Sequence, residues 1–431
     1  MRRSICAAAA LAGIIIAASG NAAEVSIREY LSDDTLLRLG PFTFAGGKTL
    51  NLSVGIGSSA FHQRRDPPNV MWTVGDRGPN IACGEMKEIA GVELACGEIK
   101  NGRVYPAPTY APSIYRIVLL DDGSFRITDV VTLKDRDGVP LNGMPNPLRT
   151  ATTEVPLDGS GKRLPADPRG IDAEALVRLS DGTFWVAEEN APSLLHFSAD
   201  GRMLARHVPA GMAADFAGAP YRTIGSLPAI LAKRQSNRGI ESLAVSRDER
   251  LLYFIMQSPL ANPDLAAFRE SRNTRLFKIE RATMRVVGEY VYQLDDPQSF
   301  RRDPSRRQTE VRISEMMATG PDQLMILERT DQTTKLYEVS LAGASNIAAS
   351  RWDDPATRPT LEQSELAAAG IKPVQKVLRF DSADQPVVAG KTEGMTLMGD
   401  GAVALINDDD FGITGARTQI VIVRGTGIRA R

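Results

Sequence analysis

A short pattern recurs along the chain, and this repeat limits the fold more than any other feature of the sequence. Each copy begins with a glutamate, runs through apolar residues to a turn containing Asp or Gly, and continues into a second apolar run that ends in polar residues. A degenerate first copy, Gly57–Arg77, has serine in place of the glutamate. The clear copies are Glu174–Asn190, Glu241–Gln257, Glu315–Arg329 and Glu393–Asp409.

Two apolar runs joined by such a turn are typical of a β-hairpin. Successive clear copies lie roughly 70 residues apart, which leaves room for four strands in each repeat. The sequence therefore predicts an all-β fold, a β-propeller with five blades, or with six if the long first interval holds another unit. The C-terminal strands are expected to close the ring by pairing with an N-terminal strand between Glu24 and Phe44. A β-sandwich with coincidental hairpins is the less favoured alternative.

The N-terminus predicts export. Residues 1–23 combine two arginines, a short apolar run and a small-residue end, which together are typical of a secretory signal peptide. The apolar run is shorter than the about 20 residues that span a bilayer, and no later stretch is long enough. We expect one domain over residues 24–431 in the periplasm or outside the cell, with no membrane insertion after cleavage. In that compartment Cys83 and Cys96 are expected to form a disulfide.

The composition excludes several kinds of site. The chain has 51 basic and 52 acidic residues, so it lacks the basic excess of a nucleic-acid-binding protein. It contains no Gly-x-Ser-x-Gly nucleophile motif and no Gly-rich phosphate loop, and we expect no organic cofactor. Its three histidines are scattered, which disfavours a catalytic triad.

The repeated acidic residues are the candidate metal ligands. Equivalent positions of a propeller lie at equal depth around one axis, so the leading glutamates are expected to converge, and carboxylate oxygens suit Ca²⁺ or Mg²⁺. The alternative is structural: each glutamate caps backbone amides or pairs with arginine and so joins neighbouring blades. The candidate ligands are Glu174, Glu241, Glu315, Glu393, Asn407 and Asp409.

The residues after each second apolar run are the candidates for catalysis. Carboxylates there are expected to hold the cation or to act as a general base, whereas Arg77 and Arg329 are expected to neutralise an anionic substrate. The candidate catalytic residues are Asp76, Arg77, Glu188, Glu189, Arg329 and Asp408.

Several segments, in the same order along nearly the whole chain, resemble the phytase-like family described as "esterase-like activity of phytase". The matching motifs include Gly75–Asn80, Tyr105–Pro112, Leu141–Pro147, Gly170–Ala175, Phe184–Glu189, Asn237–Leu243 and Glu393–Met395. The resemblance implies an exported propeller that hydrolyses a phosphoester or carboxylic ester. With the acidic repeats, it predicts metal-assisted hydrolysis of a small anionic or ester substrate at the acidic channel mouth. The alternatives are a calcium-dependent lactonase and a non-catalytic propeller of the cell envelope that binds a ligand or partner.

Overall fold

The computed structural model describes residues 25–93, 96 and 99–429, so the predicted signal peptide lies outside the described residues. The regular secondary structure of the described chain is mainly β-strand, with little helix, as the sequence predicts. The α-helices are α1 (Met86–Ile89) and α2 (Leu265–Glu270). Short 3-10 turns cover Thr35–Leu37, Cys83–Glu85, Ala213–Phe216, Ala229–Lys233, Pro297–Ser299, Gln308–Glu310, Arg351–Asp353, Ser382–Asp384 and Asp410–Gly412.

The strands of the N-terminal half follow one another along the chain. They are β1 Ser26–Tyr30, β2 Arg38–Thr43, β3 Thr49–Ser53, β4 Ser59–Phe61, β5 Val70–Val74, β6 Ile81–Ala82, β7 Gly102–Val104, β8 Ser113–Leu119, β9 Phe125–Thr132, β10 Val155–Leu157, β11 Ala173–Arg178, β12 Phe184–Glu188, β13 Ser193–Phe197, β14 Met203–Pro209 and β15 Thr223–Leu227. Those of the C-terminal half are β16 Ile240–Val245, β17 Leu251–Met256, β18 Asn273–Glu280, β19 Arg285–Gln293, β20 Arg312–Gly320, β21 Gln323–Arg329, β22 Thr334–Ser340, β23 Gln375–Asp381, β24 Thr392–Leu397, β25 Val403–Asn407 and β26 Ile420–Arg424.

Five sheets of four or five strands make up most of the described fold. Sheet I contains β4, β5, β8 and β9, and sheet II contains β11 to β15. Sheet III contains β16 to β19, sheet IV contains β20 to β23, and sheet V contains β24, β25, β26 and β1. Because β1 pairs antiparallel with β26, the two ends of the chain meet in one sheet, as the sequence predicts. Such pairing covers strand edges that would otherwise be open.

The first strands of the five sheets contact one another in cyclic order. β4 contacts β11, β11 contacts β16, β16 contacts β20, β20 contacts β24, and β24 contacts β4 again. Each of these five strands is an edge strand of its sheet, and the other strands of the sheet follow it in order on one side. The five inner strands therefore surround a common centre.

Apolar residues on both faces of the sheets fill the spaces between neighbours. In β11, Leu176 packs in the cluster shared with sheet I, whereas Val177 packs in the cluster shared with sheet III. Further clusters join sheets III and IV, IV and V, and V and I. Successive side chains of a strand point to opposite faces, so a sheet covered on both sides needs apolar residues at successive positions. This explains the uninterrupted apolar runs of the repeats.

Two smaller sheets lie outside this ring. β2 pairs with β3, and β6, β7 and β10 form a three-stranded sheet. The segment 80–104, inserted between β5 and β8, contains β6, α1 and β7. Cys83 and Cys96 form a disulfide within it, with their Cα atoms 5.7 Å apart, which confirms the predicted pairing. Among the described residues, no helix has the length and apolar character needed to cross a membrane.

Candidate functional site

Four of the inner strands carry a β-bulge at the same position. The bulge inserts one residue opposite the second strand, and this residue is Glu174 in sheet II, Glu241 in sheet III and Glu393 in sheet V. In sheet IV the corresponding residue is Ser314. The bulge therefore brings glutamates from three sheets to the same level of the ring.

A second set of residues lies at matching registers where the second strands end. Its members, one from each of sheets I to V, all line the same cavity. They are Asp76, Glu189, Gln257, Arg329 and Asp408.

The cavity has a volume of about 420 Å³ and a charged lining. The 80–104 segment closes part of it through Asn80, Glu85, Ile89 and Arg103. Its acidic residues are Asp76, Glu85, Glu174, Glu189, Glu241, Glu393, Asp408 and Asp410. Its basic residues are Arg77, Arg103, Arg238, Arg312, Arg329 and Lys391.

Glu174, Glu241 and Glu393 are the centre of the acidic cluster. Each offers a carboxylate oxygen that lies within 4.8 Å of the corresponding oxygens of the other two. All three side chains are buried, and Glu174 Oε2 and Glu241 Oε2 have no hydrogen-bond partner among the described residues. A buried carboxylate oxygen without a donor is costly, and a hard cation would satisfy it. The donor set and its spacing thus fit a cation such as Ca²⁺ or Mg²⁺.

Burial raises the pKa of the cavity carboxyl groups. It raises the pKa of Glu393 to about 7, against the opposing effect of Arg329. For Glu174, the negative charges of Asp76 and Asp172 add to the effect of burial and hold its pKa well above the ordinary value. The pKa is raised in the same direction, with burial as the largest cause, for Asp76, Glu189, Glu241 and Asp408. The carboxylates of the cavity therefore need protons, arginines or a cation to offset their charge.

The two arginines expected to bind substrate are already paired with protein carboxylates. Arg77 donates a 2.8 Å hydrogen bond to Glu154 and lies 3.3 Å from Asp172. Arg329 forms an ion pair with Glu393 and lies 3.7 Å from Glu241. Both stabilise the acidic cluster directly, which is the structural alternative considered from the sequence.

Arg238 is a cavity cation that the sequence interpretation missed. Its Nη1 donates to the carbonyl of Asn237 and lies 3.8 Å from Glu189. It lies where this cavity adjoins a second one of about 610 Å³, and it lines both. Its position directly before Gly239 and three residues before Glu241, in the Asn237–Leu243 motif, was the available signal. A Cβ on Gly239 would lie 2.0 Å from the Glu189 carbonyl oxygen, so this close approach requires glycine.

Glu315 does not join the other leading glutamates, which corrects the alignment of the fourth repeat by one residue. Glu315 follows the bulge, where the corresponding residues of sheets II, III and V are small. From this position the carboxylate of Glu315 extends to sheet I, which does not neighbour sheet IV. There it accepts hydrogen bonds from Ser59 Oγ at 2.5 Å and from Ala60 N at 3.1 Å. Ser59 Oγ in turn accepts from Leu176 N at 3.1 Å. Glu315 thus links three sheets at the centre of the ring.

Glu188 also lies outside the cavity, one position before Glu189. Its carboxylate accepts a 2.7 Å hydrogen bond from Arg206 and further bonds from Ser193 Oγ and the amide of Ala191. Both Glu188 and Arg206 are fully buried. Adjacent strand residues point to opposite sides, so of the pair only Glu189 lines the cavity.

The side chains of Asn407 and Asp409 lie outside the cavity lining and form hydrogen bonds to other residues of the protein. Asn407 Oδ1 accepts from Gln419 N at 2.6 Å, and Asp409 accepts from Ser53 Oγ at 2.8 Å and from Phe411 N at 3.1 Å. Asp408 between them lines the cavity. The structure therefore places Asp408 with the candidate site and its two neighbours in the supporting framework.

Asp172 is an acidic residue of the site that the repeat did not indicate. It precedes β11, and one of its carboxylate oxygens lies within 4.8 Å of oxygens of Asp76 and Glu174. It is buried, and neither oxygen has a hydrogen-bond partner among the described residues, although Arg77 lies near. Its proximity in sequence to Glu174, within the Gly170–Ala175 motif, was the signal that would have identified it.

A protein-family model described as "Phytase-like: Esterase-like activity of phytase" matches residues 103–411, well over half of the chain. The chain belongs to this family. The family resemblance read from the sequence motifs is thereby confirmed. The matched range contains Glu174, Glu189, Glu241, Glu393 and Asp408, whereas Asp76 precedes it.

One curated relative comes from Arthroderma benhamiae and is described as an uncharacterized secreted protein. It is 28% identical over 232 residues, which is 47% of this chain and 45% of the relative. The chain thus matches somewhat less than half the length of that protein.

Solved structures align with most of the chain at low identity. Virginiamycin B lyase from Staphylococcus aureus is 10% identical, with a TM-score of 0.32, and the alignment covers 93% of this chain and 99% of the lyase. Regucalcin, a calcium-binding protein from Agrobacterium tumefaciens, is 10% identical, with a TM-score of 0.34 and coverage of 90% and 98%. A GH43 glycoside hydrolase is 9% identical, with a TM-score of 0.38 and coverage of 93% and 55%. Overall likeness of this degree assigns no activity.

Proposed function

We propose that sheets I to V are the blades of a five-bladed propeller whose cavity lies at one end of the central channel. The cyclic contacts of the five inner strands, the apolar cluster between each pair of neighbouring sheets and the pairing of β1 with β26 support this arrangement. A sixth blade would need another set of strands, and the two smaller sheets of the described chain have only two and three strands. The long first interval of the repeat contains the 80–104 segment instead.

We further propose that the protein is a hydrolase that uses a divalent cation, Ca²⁺ or Mg²⁺, to cleave a phosphoester or carboxylic ester. The observation that carries this proposal is the convergence of Glu174, Glu241 and Glu393, three buried carboxylates from three different sheets. The membership in a family described by esterase-like activity favours ester hydrolysis over binding alone. A cation bound there would polarise the ester and lower the pKa of a bound water.

Glu189 and Asp408 are the candidates for receiving the proton of the attacking water. Both line the cavity, and neither is held in a close ion pair: Glu189 accepts from Gln257 Nε2 at 2.6 Å, with Arg238 3.8 Å away. Burial raises the pKa of both carboxyl groups, which brings a carboxylate nearer to the basicity that a general base needs at neutral pH. In the reaction, water adds to the phosphorus or acyl carbon, the ester bond breaks, and the proton goes to the leaving oxygen.

Arg238 rather than Arg77 or Arg329 is the proposed contact for an anionic substrate. Its guanidinium lacks a carboxylate closer than Glu189 at 3.8 Å among the described residues, whereas the other two arginines have close carboxylates. A planar guanidinium is suited to carboxylate and phosphate groups. The substrate is therefore expected to be small and anionic, in keeping with a cavity of about 420 Å³.

The test is a panel of phosphomonoesters, carboxylic esters and lactones, assayed with purified protein in the presence of Ca²⁺ or Mg²⁺ and after chelation. We expect cation-dependent turnover that Glu189→Gln or Asp408→Asn lowers by 10²-fold or more. Matched controls are Glu270→Gln and Asp215→Asn, which change exposed carboxylates elsewhere. Full activity of both cavity variants on every hydrolysed ester would overturn the assignment. Ligand binding without turnover would favour a non-catalytic binding protein, and turnover of lactones alone would identify a lactonase.

We also propose that the protein is exported, because residues 1–23 have the pattern of a signal peptide. A disulfide between Cys83 and Cys96 is consistent with an oxidising compartment. Mass spectrometry of the N-terminus of protein recovered from periplasmic, extracellular and cytoplasmic fractions tests this proposal. An intact Met1 on cytoplasmic protein alone would contradict it.

A further inference from the structure

A second group of carboxylates adjoins the first and shares one member with it. Asp76, Asp172 and Glu174 each offer an oxygen, and these oxygens lie within 4.8 Å of one another. The first group consists of Glu174, Glu241 and Glu393, whose oxygens also lie within 4.8 Å of one another. Glu174 therefore belongs to both groups and links them.

The unpartnered oxygens fall in both groups. In the second group neither oxygen of Asp172 nor Oε2 of Glu174 has a hydrogen-bond partner among the described residues, and in the first group the same is true of Glu241 Oε2. The exposed fractions of these residues are 3% for Asp172, 6% for Glu174 and 3% for Glu241. Since buried polar atoms are nearly always satisfied, an unpartnered oxygen in each group points to a ligand in each group.

The neighbouring arginines do not remove this need. Arg77 lies beside Asp172 in the second group, whereas Arg329 pairs with Glu393 in the first group and acts on Glu241 together with Arg312 and Arg238. Arg77 is shared with Glu154, which lies outside the group, at 2.8 Å. The cavity lining holds eight acidic and six basic side chains, and Asp172 beside it brings the acidic residues to nine, so three negative charges are in excess when all are ionised. A single divalent cation in the first group would leave the carboxylates of the second group opposed by Arg77, which Glu154 shares.

We propose that the cavity holds two divalent cations, one in each group, with the carboxylate of Glu174 bridging them. This inference rests on the proposed cation site and adds to it a second site formed by Asp76, Asp172 and Glu174. Oxygen donors of this kind select a hard cation such as Ca²⁺, Mg²⁺ or Mn²⁺. With the carboxylate of Glu174 shared between them, one cation would supply the attacking water and the other would polarise the ester.

The experiment measures cation stoichiometry and coupling in the purified protein. Calorimetric titration with Ca²⁺ after chelation is expected to give two cations per chain. Electron paramagnetic resonance with Mn²⁺ as the probe is expected to give an exchange-coupled spectrum at saturation, because a carboxylate bridge couples the two ions. Neither readout depends on turnover.

Variants separate the two sites. Asp172→Asn is expected to weaken the second site, which leaves one cation per chain and the spectrum of isolated Mn²⁺. Glu393→Gln is expected to weaken the first site and to give the same stoichiometry and spectrum. Glu174→Gln is expected to abolish the coupling and to weaken both cations by at least tenfold. The exposed-residue variant Glu270→Gln is expected to retain two coupled ions. Thermal unfolding of each variant identifies any that fails to fold, and Asp76→Asn then replaces Asp172→Asn.

The outcomes distinguish this inference from the proposed function. One cation per wild-type chain with turnover overturns the second site and leaves the hydrolase proposal intact. Two cations without an exchange-coupled spectrum overturn the Glu174 bridge. Two coupled cations without turnover of any ester support the two-cation site and overturn the hydrolase proposal. Absence of cation binding overturns both.

Discussion

Ser314 donates a 3.0 Å hydrogen bond to the carboxylate of Glu241, and these two residues occupy the same bulge position in adjacent sheets. Ser314 Oγ also accepts a 2.8 Å hydrogen bond from Arg329 Nε. A glutamate at position 314 would add a carboxylate to a cavity that already has more acidic than basic side chains at its centre. Serine instead supplies a donor to the carboxylate of Glu241 and an acceptor to Arg329, so it offsets charge where a fourth glutamate would add to it.

The carboxylate of Glu315 is expected to stabilise the centre of the ring. Glu315→Ala removes the acceptor for Ser59 Oγ and Ala60 N and leaves a cavity, so we expect a loss of about 2–4 kcal/mol in the free energy of unfolding. Burial raises the pKa of Glu315 well above its ordinary value, so a neutral amide is the closer mimic, and Glu315→Gln is expected to lose about 1 kcal/mol. Urea denaturation measures both. Equal losses from the two variants would contradict a hydrogen-bonding role.

Glu188 is expected to act on stability through its buried ion pair with Arg206. Glu188→Ala leaves Arg206 buried without its carboxylate, so we expect a loss of about 3–5 kcal/mol. The double variant Glu188→Ala with Arg206→Met is expected to lose less than the sum of the single variants, because it removes both charges. The exposed pair Arg202 and Asp200 is the control, and Asp200→Asn is expected to cost less than about 1 kcal/mol. Additive losses from Glu188 and Arg206 would show that the pair is not coupled.

The disulfide is expected to stabilise the segment that closes one side of the cavity. Cys83→Ser with Cys96→Ser opens a loop with a sequence separation of 13 and is expected to lower the free energy of unfolding by about 2–3 kcal/mol. Because the 80–104 segment supplies Glu85, Ile89 and Arg103 to the cavity, we also expect KM to rise more than kcat falls. Dithiothreitol should lower the Tm of the wild type and leave that of the double variant unchanged. A reductant-sensitive double variant would contradict the assignment.

His207 is expected to make stability depend on pH. Burial lowers the pKa of His207 from 6.5 to about 4, so between these values the unfolded chain binds more protons than the folded protein. The contribution of the neutral imidazole, which bonds Ser226 Oγ at 2.8 Å, is therefore complete above pH 6.5 and declines as the pH falls toward 4. We expect the advantage of the wild type over His207→Gln in the free energy of unfolding to shrink across this window. A difference that stays constant from pH 7 to pH 4.5 would contradict this prediction.

The sequence by itself determined the repeat, the strand-rich character of the chain and the pairing of its two ends. These properties follow from local patterns: two apolar runs and a turn make a hairpin wherever they occur, and apolar residues at successive positions require a sheet covered on both faces. The disulfide was predictable for a similar reason, since Cys83 and Cys96 are the two cysteines outside the predicted signal peptide.

Only the tertiary structure decided which acidic residues share the cavity. Strand side chains alternate between two sides, so a shift of one residue separates Glu189 from Glu188, and Asp408 from Asn407 and Asp409. The bulge adds one residue to each of four inner strands, which places Ser314 in the ring and sends Glu315 across the centre. The roles of Asp172, Arg238 and the paired arginines depend on contacts between distant parts of the chain. The repeat in the sequence specifies which positions are equivalent. The direction of each side chain and the residues that it contacts depend on strand register and on packing between the sheets.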